Sequence, residues 1–162
     1  MNTELKEKIA LVTGSSRGIG KAIAMALARE GADIVLCSKT DKDLLAAKAE
    51  VEQYGTKVST YALDGRKENE VGELFLKVIA PRARLDILVN NIGGVQEHAK
   101  FEELTVVHWR DAWELNFLPA VLFSRAALPW LRKSKAARII NISSSAGKQP
   151  GGFNPHYGAA KT

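Results

Sequence analysis

The sequence predicts an α/β fold, three layers deep, with helices on both faces of a doubly wound parallel sheet. Two observations predict it. Short apolar runs of strand length alternate with helix-period segments along the chain, and alternation of that kind implies right-handed crossovers between parallel strands. A glycine cluster, Gly14, Gly18 and Gly20, then falls between the first apolar run and the first helical segment, the place where such sheets hold ligands.

The elements follow in order. Ile9 to Val12, Ile34 to Cys37, Val58 to Ala62, Leu85 to Val89 and Arg138 to Ile142 read as short buried strands. Ile19 to Glu30 reads as the first helix, stopped by Gly31, since glycine is the common residue just past a helix end. Asp41 to Tyr54 and Lys67 to Ala80 are the second and third. A long helical stretch, Thr105 to Lys133, has Thr105 as its N-cap and splits near Leu118-Pro119, because proline disfavours helix at the residue before it. Within it Trp109, Ala112, Trp113 and Asn116 fall on one face. An asparagine on an apolar stripe must find hydrogen-bond partners or cost stability.

Composition bounds the function. The 162 residues suit one domain over 1–162, and 46% hydrophobic with 25% charged residues is ordinary for a globular chain. The apolar runs are too short to span a membrane, and the N-terminal stretch, Met1 to Lys8, carries acids where a signal peptide needs an apolar core. Cys37 is the only cysteine and reads as a free buried thiol; a reducing cytoplasmic setting fits. His98, His108 and His156 lack metal-ligand spacing. The net charge of +5 has one dense patch, Arg132, Lys133, Lys135 and Arg138, without any nucleic-acid-reading motif. Its first part sits at a helix end, where cations suit the dipole.

The run Thr13-Gly14-Ser15-Ser16-Arg17-Gly18-Ile19-Gly20 joins a strand to a helix. Glycine lets the backbone approach a phosphate, and the helix behind it aims free N–H groups and a positive dipole end at the anion. This makes the sheet Rossmann-type and the ligand a dinucleotide. A phosphate loop of the NTPase kind is excluded, because Ser15 stands where it needs glycine and Ala22 where it needs serine or threonine. At the end of the second strand the acid that selects NAD is missing. Ser38 and Lys39 stand there instead, with Arg17 in the glycine loop as a second cation. That pattern favours NADP(H) over NAD(H).

Tyr157 and Lys161 are four residues apart and share a face if the segment is helical. A free phenol is a poor base at neutral pH, and a neighbouring ammonium favours its ionised form. The pair therefore suits proton transfer to or from a carbonyl or alcohol. Ser144 follows the fifth strand at the sheet edge that carries ligands, and its hydroxyl can donate to a substrate oxygen.

These motifs together resemble the short-chain dehydrogenase/reductase family, in its single-domain branch that includes 3-oxoacyl-ACP reductase-like members. The resemblance covers essentially the whole chain. It implies Asn116, Ser144, Tyr157 and Lys161 as the catalytic group, Asn116 holding a water chain that leads to Lys161, and Tyr157 and Lys161 also touching the cofactor. It places Asp64 beside the adenine, and it reads Asp86 to Gly93, with Asn90 and Gly93, as the segment that steadies the sheet and lines the cofactor site. Ser144 is preferred over Ser143 and Ser145 because it lies thirteen residues before Tyr157, the family's usual interval. Ile92 stands where the family commonly has alanine; it either narrows the pocket or packs against the sheet.

The implied function is hydride transfer between NADP(H) and a small carbonyl or secondary alcohol, in a homo-oligomer paired through helices spanning Pro119 to Lys133 and beginning near Tyr157. The family's domain continues past Lys161, whereas this chain stops at Thr162. The expectation is a sheet incomplete at its C-terminal edge, with the fifth strand left as an exposed apolar edge. The alternative is a truncated, non-catalytic nucleotide-binding fragment or pseudoenzyme that acts through a partner, binding NADPH weakly without turnover.

Overall fold

A computed structural model describes residues 4–149 and 151–162; the first residues of the acid-bearing N-terminal stretch, Met1 to Thr3, lie outside them. Five parallel strands, β1 (Ile9–Thr13), β2 (Asp33–Ser38), β3 (Val58–Ala62), β4 (Ile87–Asn90) and β5 (Arg138–Asn141), form one sheet in the order β3-β2-β1-β4-β5. The order turns back at β1, which pairs with β2 on one side and β4 on the other. The C-terminal ends of β1 and β4 thus flank the switch point, where ligands bind in open α/β sheets.

Side chains alternate across the strands and build two cores. Ala10, Val12, Ile34 and Leu36 point to the face covered by α1 (Gly18–Arg29) and α2 (Asp41–Glu52), meeting Ala24, Ala28, Leu44, Ala47 and Val51. Leu11, Val35, Cys37 and Leu88 point the other way, against α3 (Glu68–Leu74) and α5 (Leu118–Leu131) through Val71, Leu74, Phe123, Ala127 and Leu131. Cys37 is a free buried thiol, and burial pushes its pKa up to about 12, so it carries no thiolate chemistry at neutral pH.

Several boundaries differ from the sequence reading. The helix predicted over Lys67 to Ala80 is regular only through Leu74; a π-helical turn, Phe75–Ile79, and a 3-10 turn, Ala80–Arg82, complete it. The wide turn lets Phe75 and Ile79 both reach the core, and Pro81 then ends the helix. The second helix stops at Glu52 instead of Tyr54, and β4 runs two residues later than predicted at its start. Thr105 caps α4 (Val106–Asn116) as expected, accepting from the His108 N–H while the His108 ring accepts from the Thr105 N–H. The break before α5 falls at Phe117, because Pro119 fits the first turn, where no N–H is needed. The apolar stripe on α4 is narrower than predicted: Ala112 and Asn116 are buried, but Trp113 is half-exposed and stacks on Phe117 instead.

The sequence predicts a buried fifth strand, yet all four residues of β5 are exposed. It is the edge strand that the apolar-edge expectation describes, with Ile139 and Ile140 both solvent-facing. Two short helices follow, α6 (Ser145–Lys148) and α7 (Pro155–Ala160). No helix among the described residues is long and apolar enough to cross a membrane.

Candidate active site

The glycine loop leaves β1 at Gly14, whose φ of 61° is left-handed and suits glycine. Gly20 is glycine for a different reason. A Cβ there would lie 2.4 Å from the Gly14 carbonyl oxygen and 2.5 Å from the Asn91 amide nitrogen. The start of α1 therefore presses directly on the loop. Asn91 locks that contact, donating to the carbonyls of Thr13 at 2.9 Å and Gly14 at 3.1 Å, while its own N–H donates to Thr13 Oγ1. Motif reading named Asn90 and Gly93 but missed Asn91 as the tie; the signal was there, as the second asparagine of a pair directly after a strand.

α1 begins without a side-chain cap and without an acid in its first turn, so its first N–H groups and positive dipole end face the loop unopposed. The cleft in front is lined by Gly14, Ser16, Arg17, Ser38, Lys39, Asp64 and Gly93, all expected there. Gly18 and Ile19 lie outside that lining; Ile19 stands exposed on the first turn of α1. Gly20 is buried behind the loop. A pyrophosphate fits this cradle: bare backbone, an uncapped helix start and two cations.

Asp64 is not free. Lys39 lies 3.0 Å and Arg66 2.7 Å from its carboxylate. The Arg66 guanidinium beside it holds the Asp64 carboxyl well below the usual range, against the opposing effect of burial. The cation expected to meet a 2′-phosphate is thus parked on the residue expected to meet adenine. Lys39 remains more than half exposed and free to swing.

A second cleft opens beside the first, lined by Asn90, Ile92, Asn116, Ser143 and Lys161 among others. Ile92 lines both, and its position answers both alternatives posed for it. It packs against the core, its tip fitting a space that only a glycine at 65 leaves: a Cβ on Gly65 would lie 2.5 Å from Ile92 Cδ1. It also forms the wall between the clefts.

Asn116 has its partners. Its amide donates to the carbonyls of Gly94 at 3.1 Å and Ala112 at 3.0 Å, and its oxygen accepts from the Gly94 N–H at 2.8 Å. It clamps the loop after β4 onto α4. Lys161 reaches the same spot from the other side. Asn116 Oδ1 and Lys161 Nζ each lie 2.6 Å from where a Gly93 Cβ would be, so the two are at most twice that distance apart. The Lys161 ammonium donates to the Ile142 carbonyl at 3.0 Å, and burial pushes its pKa down.

Tyr157 sits half-buried in the middle of α7, and Lys161 caps that helix; the Lys161 N–H donates to the Tyr157 carbonyl at 3.1 Å, so the i, i+4 relation survives at the helix end. Neither Tyr157 nor Ser144 lines the two clefts described. Ser144 Oγ accepts from the Ala146 N–H at 3.2 Å as the N-cap of α6, which leaves its hydroxyl proton free to donate. The neighbouring Ser143, set aside by the sequence reading, donates to the Lys161 carbonyl and so holds the lysine's backbone.

A family model for short chain dehydrogenases matches residues 8–162. The chain belongs to the short chain dehydrogenase family. An uncharacterized oxidoreductase of Bacillus subtilis is 37% identical over 93% of this chain. A 3-oxoacyl-[acyl-carrier-protein] reductase of Synechocystis is 35% identical over 98% of it. Among solved structures, L-sorbose reductase from Gluconobacter frateurii, complexed with NADPH and L-sorbose, superposes with a TM-score of 0.93 at 33% identity over 99% of this chain. The chain spans 56%, 64% and 61% of the lengths of these three proteins, in that order. The doubly wound sheet read from the sequence is the fold this chain shares with its family.

Proposed function

We propose that the chain forms the cofactor-binding and proton-transfer part of an NADP(H)-dependent oxidoreductase acting on a small carbonyl or secondary alcohol. The observation that carries this reading is the convergence of Asn116 Oδ1 and Lys161 Nζ on Gly93, at the end of the glycine-loop cleft.

A bound nicotinamide would supply or accept the hydride. In the carbonyl-reducing direction, Tyr157 gives its phenolic proton to the substrate oxygen as charge develops there. Ser144 donates a hydrogen bond to the same oxygen. Lys161, held at the end of α7 with its ammonium on the Ile142 carbonyl, takes the ribose hydroxyls. Asn116 clamps the Gly94 backbone beside the lysine and supports a proton path to it. Arg17, Ser38 and Lys39 take the 2′-phosphate, with Lys39 exchanging Asp64 for the ligand. Pairing of two copies through α5 belongs to the same reading, supported by the exposed Val121 and Leu128 on that helix.

The test has two parts. NADPH and NADH are titrated against the chain, followed by Lys39→Ala and Arg17→Ala. Loss of a charge-assisted phosphate contact costs about 1.5–3 kcal/mol, so each variant should weaken NADPH by about tenfold or more and leave NADH nearly unchanged. Equal binding of both nucleotides by the unaltered chain would remove the NADP preference. Turnover on a panel of carbonyls is then compared with Tyr157→Phe, which should keep NADPH binding and lose reduction. Binding without turnover in the unaltered chain would favour the non-catalytic reading.

A further inference from the structure

His156 directly precedes Tyr157, is only 3% exposed, and has no part in the chemistry above. Among the described residues its Nδ1 has no hydrogen-bond partner, and its ring is held by packing on an aromatic neighbour. The ring meets Trp109 of α4 edge-on, centroids 6.1 Å apart at 64°. Trp109 in turn meets Phe101 of the 3-10 turn Phe101–Glu103 at 5.9 Å and 70°. Two polar ties run alongside. The Asn154 N–H donates to the Ala99 carbonyl at 3.0 Å, and the Asn154 side chain lies 3.1 Å from His98 Nδ1. With six residues, α7 is too short to persist alone. These contacts set its N-terminal half against α4, while Ser143, the Ile142 carbonyl and α6 hold its C-terminal end.

We infer that His156 is the positioning residue for Tyr157: its neutral ring, docked on Trp109, fixes α7 against α4, and protonation of that ring frees the helix. The inference rests on the reading of Tyr157 as the proton-transfer group, but the docking can be measured without it. An imidazolium in this place would lose its hydration and gain no acceptor at Nδ1. Burial holds the His156 pKa below the ordinary histidine value; His108 on α4 pushes it the same way and Glu97, in the loop after β4, opposes. α6, which also packs on α7, brings one ionisable side chain, the exposed Lys148. The sign follows. The docked ring resists protonation and the freed ring does not, so docking is complete above the ordinary histidine pKa of about 6.5 and weakens as pH falls below it.

NMR of the 162-residue chain tests this between about pH 8 and about pH 5, the range in which histidine titrates. His156 should titrate below an ordinary histidine, and the Tyr157 ring resonances should move with it. Amide protection at Gly158 and Lys161, both bonded within α7, should fall about tenfold across that titration. His156→Phe keeps an uncharged ring, so it should hold protection high and lose the acid limb. His156→Ala should lower protection at every pH. An acid limb that persists in His156→Phe, or equal protection in His156→Ala and the unaltered chain, overturns the proposal. Failure of the Tyr157 reading would appear instead as turnover retained in Tyr157→Phe, with these resonances unaffected.

Discussion

Gly93 is the residue on which the candidate site turns. Its missing side chain is what allows Asn116 and Lys161 to approach each other from α4 and the end of α7. In Gly93→Ala the new methyl group would lie 2.6 Å from both Asn116 Oδ1 and Lys161 Nζ. Asn116, pinned by three hydrogen bonds, gives way only by straining them, whereas the lysine tip swings away easily. The variant should therefore fold, losing about 1–2 kcal/mol in urea unfolding, while the lysine leaves the Ile142 carbonyl. A structure of Gly93→Ala with Lys161 still on that carbonyl would refute the account. At this scale the sequence was legible where side-chain type dictates the chemistry, as for Asn116 and Lys161. Ser143 was not legible, because three serines in a row look alike until the fold shows which hydroxyl meets the Lys161 carbonyl. Asp64 was legible as a cleft residue, but its pairing with Lys39 and Arg66 depends on a loop conformation that no spacing encodes.

The elements are tied together by Asp86 at the entrance to β4. It is buried, accepts from the Ile9 N–H of β1, from Arg84 and from Ser134 just beyond α5. Burial alone would raise its pKa, but the bonds from Ser134, Ile9 and Arg84 outweigh it and leave the pKa lowered. A carboxylate of that kind stabilises the fold above its unfolded pKa of about 3.9, and the contribution is lost as pH falls through the folded value. Asp86→Asn should thus cost about 2–3 kcal/mol at neutral pH, and the gap to the unaltered chain should narrow by about pH 3. A gap independent of pH would assign the loss to packing instead. Helix starts were readable here, Thr105 above all, because a cap is a local device. The π-helical turn at Phe75–Ile79 was not, since it exists to seat Phe75 against Phe123, 6.4 Å away by ring centroids and far away in sequence.

For the molecule as a whole, alternation of period was enough to predict a parallel sheet covered on both faces, because crossovers leave few other arrangements. Strand order was not readable: it depends on which strand each crossover returns to, and that is decided by the packing of the two cores. The edge is where the difference matters. Among the described residues β5 pairs only with β4, and its other side presents unpaired backbone together with Ile139 and Ile140, 41% and 44% exposed. A flat apolar edge recruits other strands, and lysine on such an edge opposes it by charge and by the hydration it demands. Ile140→Lys should therefore lower light scattering of the concentrated chain while costing no more than about 1 kcal/mol, since the side chain is already nearly half in water. Unchanged scattering in that variant would clear the β5 edge and move the source of self-association to the apolar outer face of α5, where Val121→Lys and Leu128→Lys would then be the variants that lower it.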